Sequence, residues 1–255
     1  MNTTNKTFNR LLPMIKMDFY RLFRAPIFYI MVCVAAMIPV LVLTMAGVEG
    51  PDGTVGMPAF TNTWQVFEGL SGNTAGLMDF ANMANVNMVY IFAALLLSIF
   101  VAHDYSSGFV KNIFAVHSKK SDYVVSKSIV GIFGGICMIL SYFLITIIVG
   151  AIMGKSFDLG TANAGNVILC LLSKMALMGL FVPLYLSMAV LFKQKLWVTI
   201  IATFAAGILF YPIASIAVPL DASFLTLIMC ILAGGTGFIG FGSLSSLILN
   251  KRDLT

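Results

Sequence analysis

Residues 27–47 read IFYIMVCVAAMIPVLVLTMAG, twenty-one residues without one charged side chain. As a helix rising 1.5 Å per residue, such a run crosses roughly 30 Å of hydrocarbon. It exceeds the 7–15-residue apolar region of a secretion signal and follows 26 residues of sequence, so it reads as a retained span. Five more apolar runs follow, at about 83–102, 128–153, 165–192, 196–218 and 224–249. Only Lys193, Gln194 and Lys195 part the fourth from the fifth. The runs are continuous rather than alternating, which favours helices over barrel strands. The chain of 255 residues is 60% hydrophobic and 10% charged, against about 25% charge in a soluble domain. The expected fold is therefore all-α: one polytopic transmembrane domain of six helices.

Charge sets the expected orientation. Five Lys or Arg precede the first span, four lie in 103–127, two separate spans four and five, and two follow span six. Thirteen of fifteen thus fall on one side, and the positive-inside rule puts both termini in the cytoplasm. Lys155 falls on the opposite side, with Glu49, Asp52, Glu68, Asp79, Asp158 and Asp221. The net charge of +5 is explained by basic residues facing anionic headgroups, without nucleic acid. Each of the four cysteines, Cys33, Cys137, Cys170 and Cys230, sits inside an apolar run with no CxxC spacing, so neither a disulfide framework nor a metal site is expected.

Two segments outside the spans carry helical patterning. Residues 8–25 place Leu11, Leu12, Ile15, Phe19, Leu22 and Phe23 at helical spacing, with Lys16, Asp18, Arg21 and Arg24 on other faces. This predicts an amphipathic helix on the inner leaflet, anchoring span one and broken by Pro26. The loop 48–82 starts turn-rich, and then offers Thr61 or Asn62 as a cap for a short helix carrying Trp64, Val66, Phe67 and Leu70. That helix would lie at the interface, with Trp64 at headgroup depth; the alternative is a covering loop with one interfacial tryptophan.

The stretch 103–127, HDYSSGFVKNIFAVHSKKSDYVVSK, holds more than a linker needs. Ser106 or Ser107 can cap a helix in which Tyr105, Phe109 and Ile113 recur every four residues, with Phe114 and Val110 beside them. Ser121 and Asp122 restart a helix into span three. An apolar-faced helix here can lie on the membrane or fill a groove on a partner.

These features resemble permease subunits of type-2 ATP-binding-cassette exporters. The resemblance rests on six spans with both ends inside, the N-terminal KMDFYRLFRAPIFY, and Asp104, Gly108, Lys111, Ser118 with Lys119 and Lys120, Tyr123 and Lys127. Asp104 stands where Glu is more usual, and His117 where proline is common. The resemblance implies a coupling helix in 103–127 that docks on a separate ATPase, with Asp104, Tyr105, Gly108, Phe109, Lys111, Ile113 and Phe114 as coupling residues. It implies two ATPase chains carrying ATP and Mg, a second permease, identical or related, and no cofactor on this chain. Small bacterial systems of this layout often handle antimicrobial or toxic peptides, so the implied function is outward movement of a peptide, drug or lipid-like compound across a bacterial cytoplasmic membrane. A six-span secondary carrier or an assembly protein is the alternative.

Several motifs mislead. GAIMGKS, Gly150 to Ser156, has three residues where a phosphate loop has four, and no strand precedes it. GTGFIG, Gly235 to Gly240, matches a dinucleotide fingerprint inside a membrane span, where Gly235, Gly237 and Gly240 serve helix packing. Gly131 and Gly135 have the same small-residue spacing, also suited to a permease–permease interface. Lys174 is the one charge well inside a span. It reads as a snorkelled or interface-paired lysine, or as a residue that lines the substrate path or faces a partner permease; with no acidic residue of this chain expected at its depth, the partner would be another subunit or a lipid phosphate.

Overall fold

The computed structural model describes residues 3–45, 60, 62–69, 84–115, 119–192 and 196–251. Among them the chain is helical, without a strand. Helix α1 spans Thr3–Arg24 and α2 spans Pro26–Met45. A single turn, α3, covers Trp64–Phe67. Helix α4, Met88–Ser106, is followed by the short α5, Phe109–Ala115. Four long helices complete the chain: α6 Lys120–Ile152, α7 Ala164–Leu191, α8 Leu196–Ala217 and α9 Phe224–Lys251. Six of these, α2, α4 and α6 to α9, are long and apolar enough to cross a membrane, as the runs in the sequence require.

Helix boundaries follow local chemistry. Pro26 takes the first position of α2, where its missing N–H is no loss, and Ala25 alone separates α1 from α2. Asn163 and Asn166 bond each other's backbone in a capping box that starts α7. Pro39, Pro183 and Pro212 lie inside α2, α7 and α8, which run on through them. Helix α6 begins at Lys120, eight residues ahead of the expected span, and this extension supports α1.

Shape rather than water drives the packing between spans, since lipid is as apolar as leucine. Helices α7 and α9 make the closest pair. A Cβ on Gly179 would sit 3.2 Å from the backbone of Gly234, and one on Gly234 would strike the Ala176 carbonyl oxygen. Tyr90, Tyr142, Met178, Phe181 and Tyr185 fill the interior, while Ile30, Leu144, Ile201, Leu209 and Leu232 face outward, as a lipid-solvated surface demands. Lys120 donates to the Leu249 carbonyl at 2.6 Å, so the start of α6 and the end of α9 meet at one end of the bundle. That terminal end also holds α1 and α5; α3 lies at the far end.

Candidate functional site

At the terminal end, the chain turns sharply between α4 and α5 at Gly108, whose φ of 70° favours glycine. Tyr105 therefore closes α4 instead of sharing a face with Phe109 and Ile113. Ser106 and Ser107 do not cap α5; their hydroxyls donate backward to the His103 and Asp104 carbonyls. The apolar side of α5 is already covered by the chain itself. Val110 is fully buried, and Ile113 and Phe114 pack on the core, with Phe114 edge-on to Tyr123 of α6. Phe109 lies under the Arg21 guanidinium of α1, 3.8 Å from ring centroid to carbon. Lys111 and Asn112 are exposed, on the side away from the bundle.

Beneath α5 lies a buried cluster of charges. Asp18 and Lys127 are both inaccessible, 2.7 Å apart, and Lys127 also meets Asp104 at 2.6 Å. Arg21 bonds the other Asp104 oxygen and approaches Asp18 at 3.7 Å. Ser126 donates to Asp18 at 2.6 Å and Tyr123 to Asp104 at 3.1 Å. Lys127 further rests over the Phe100 ring at 3.9 Å. Two carboxylates thus face two cations, so the cluster is neutral and its oxygens are satisfied, the condition on which buried charge is tolerated. It joins α1, α4 and α6. Two turns before Asp18 along the same seam, Arg10 pairs with Asp122, which raises the Arg10 pKa through their hydrogen bond.

Helix α1 consequently runs alongside the first turns of α6, with Phe19 and Phe23 both edge-on to Phe133. Its expected apolar face is divided. Leu22 is buried against the bundle and Leu11, Ile15 and Phe19 are half-buried, whereas Leu12 and Phe23 are exposed. Asp18, expected on the polar side, points to the interior because Lys127 waits there.

The far end holds a second buried cluster. Glu68 Oε2 accepts from Lys174 Nζ at 2.6 Å and from Asn87 Nδ2 at 2.5 Å. Its Oε1 accepts from the Gly69 N–H at 3.0 Å, Ser215 Oγ at 3.1 Å and Asn85 Nδ2 at 3.3 Å. Lys174 donates also to Asn87 Oδ1 at 2.8 Å. One carboxylate thus gathers donors from five residues, and two of them, Lys174 and Asn87, also bond each other.

The family model for the ABC-2 family transporter proteins matches residues 14–210, from α1 into α8. The chain belongs to that family. This makes the ABC-2 protein the membrane subunit of an ABC transporter, a transport component that is not itself catalytic and that works with an ABC ATPase subunit. Neither the curated proteins nor the solved structures offered a match.

In this ABC-2 chain, the residues singled out from the sequence separate into three groups. Asp104, Tyr105, Gly108, Phe109, Lys111, Ile113 and Phe114 do come together at the terminal end, but only Lys111 projects outward. The apolar stripe that called for a partner finds it in α1 and α6. Lys174 corrects an expectation: an acidic residue of the same chain does lie at its depth. Glu68, counted among the loop acids, reaches it because residues 62–69 enter the bundle instead of lying on it. Val66 and Phe67 are buried, and Trp64, expected at headgroup level, stacks on Phe143 and donates to the Phe157 carbonyl. The N-cap position of this turn is Thr63, without a side-chain cap, and the Asn62 side chain just before it accepts from the Trp64 N–H at 3.0 Å; the alternative cap, Thr61, and the expected helix residue Leu70 lie outside the described residues.

The glycines also diverge. Gly131, Gly135 and Gly237 are close-approach positions, where a Cβ would press on Val182, Met178 and Leu180 respectively. Gly235 and Gly240 face open space and have no packing role within the described chain. Asp18, Arg21, Asn85, Asn87 and Ser215 were not singled out as site residues from the sequence. Asp18 carried a signal, as the sole acid before Glu49 in a basic helix. Ser215, inside an apolar run, carried none.

Proposed function

We propose that α5 is the helix through which the partner ATPase drives this permease, and that α1 moves with it. The observation that carries this reading is the buried Asp18–Arg21–Asp104–Lys127 cluster. A short helix on a flexible loop would absorb an applied displacement. Here α5 is fastened to α1 by Arg21 and to α6 by Phe114 and Tyr123, so force on its outer face passes directly into the spans. Lys111 and Asn112 form the polar outward face, suited to a protein partner in water more than to the hydrocarbon of a membrane.

The chain acts, on this reading, as an exporter subunit in the cytoplasmic membrane of a bacterium. The lysine and arginine bias supports cytoplasmic termini, which puts α5 on the side where ATP is found. Two permeases, identical or related, would pair with two ATPases, and an amphipathic peptide, drug or lipid-like substrate would move outward between them. The membrane-subunit assignment removes the secondary carrier as a competing reading.

The test is reconstitution with the cognate ATPase. Lys111→Glu with Asn112→Asp is expected to leave the permease folded and to lower ATP hydrolysis in the complex by about tenfold, the scale of interfacial charge effects. Unchanged hydrolysis and unchanged co-purification would remove α5 from the coupling route.

A further inference from the structure

We propose that residues 62–69 are a latch that closes the far end of the bundle and is withdrawn in each transport cycle, with Glu68–Lys174 as the contact that breaks. This rests on the transporter reading above. The latch itself is argued from how the segment is held.

The segment seats on a purpose-shaped surface. Thr63 fills the space that a side chain at Gly150 would occupy, its Cβ only 2.9 Å from that position. The first glycine of the misleading GAIMGKS motif thus has a concrete role as the seat of Thr63, just before α3. The single hydroxyl proton of Tyr142 of α6, fully buried, is shared between the carbonyls of Val66 and Ala84, at 2.9 and 3.1 Å. The Thr63 N–H bonds Ser156 beyond α6, and the Leu220 N–H beyond α8 bonds Gly69.

The tip of the segment is a carboxylate, which is a costly choice for a purely structural plug. Both Glu68 and Lys174 lose their water, and a buried pair of this kind is often no more stabilising than apolar residues of the same volume. Lys174 lies ten residues into α7, about 15 Å from its start. The donors to Glu68 come from the turn before α4, from α7 and from α8, so this one group ties three spans together. A relative shift of any of them by more than a hydrogen-bond length breaks the pair. The two charges then need water, which makes the contact two-state instead of gradual. Ion pairs hold this end and the terminal end alike, but among the described residues only here is one member supplied from outside a helix.

The experiment uses the permease–ATPase complex in lipid nanodiscs, with Cys33, Cys137, Cys170 and Cys230 replaced by alanine. Val66→Cys reports on the segment through its reaction with a water-soluble maleimide. We expect protection at rest and labelling about tenfold faster when ATP and orthovanadate trap the complex, the mark of a population shift toward an open state. Glu68→Gln with Lys174→Met should raise the resting rate toward the trapped one. Ala84→Cys, on the Tyr142 side of the seat, provides a second reporter if Val66→Cys impairs assembly. Labelling that is equally slow in both states of a complex that hydrolyses ATP overturns the latch while leaving the transporter reading intact. Failure of the wild-type permease to support ATP hydrolysis by its cognate ATPase overturns the transporter reading, and the latch with it.

Discussion

Arg21 holds its guanidinium carbon 3.8 Å from the centre of the Phe109 ring while bonding Asp104 in the last turn of α4. A residue of α1 thereby grips α5 and the end of α4 at once. The amphipathic helix is in this way fastened to the bundle through its charged side.

Arg21 and Phe109 should therefore couple energetically. Arg21→Ala and Phe109→Ala are each expected to lower the thermal stability of the detergent-solubilised permease. A double-mutant cycle should give an interaction of about 0.5–2 kcal/mol, the range for a partly desolvated cation over an aromatic ring. Strict additivity would show that the stacking contributes nothing.

Lys127 serves two carboxylates, which predicts an asymmetric mutant series. Lys127→Met leaves Asp18 and Asp104 buried with one cation between them, and should destabilise by about 3–5 kcal/mol. Adding Asp18→Asn should recover a large part of that loss, because the remaining Arg21–Asp104 pair is again neutral. Thermal unfolding of the three variants checks the order.

At the far end the same logic applies to Glu68. Lys174→Met alone should be the more damaging change, since it strands a carboxylate at span depth. Glu68→Gln with Lys174→Met should fall closer to wild type, as the neutral amide oxygen introduced there could still accept from Asn85 and Ser215. A double variant no better than the single one would mean that the charge pair is not what penalises the loss of Lys174.

The glycines of α9 give a clean contrast. Gly237→Ala would place a methyl 2.8 Å from the Leu180 Cα and should cost about 1–3 kcal/mol of stability through strain between α7 and α9. Gly235→Ala and Gly240→Ala add a methyl to open space and should leave the melting temperature of the isolated permease unchanged. A loss of self-association in either, with stability intact, would identify this face as a subunit contact.

Much of the architecture was legible in the residues themselves. The run 27–47 and its five successors announce spans because hydropathy and length are properties of contiguous sequence, readable without knowing what packs where. The α1 helix and the turn before Trp64 were legible for the same reason: spacing and capping are local. Legibility failed where a group's neighbour is distant in the chain. Tyr105, Phe109 and Ile113 look like one stripe until Gly108 takes a positive φ and separates the first from the others. Gly235 and Gly237 look equivalent in GTGFIG, yet only Gly237 meets α7, because two residues along a helix turn a side chain to the opposite side.

The sequence by itself determined that this is a six-span helical membrane protein with a patterned loop at 103–127. Only the tertiary structure decided where its charges go. Asp18 and Lys127 are separated by 109 residues and Glu68 and Lys174 by 106, and no local pattern couples such positions. Their pairing is enforced by the cost of leaving a charge unsatisfied in an apolar interior, a constraint that acts only once the helices are packed. Glu68 shows this most plainly. Topology counted it as a loop acid, and the fold carried it into the bundle because Lys174 could not remain there alone.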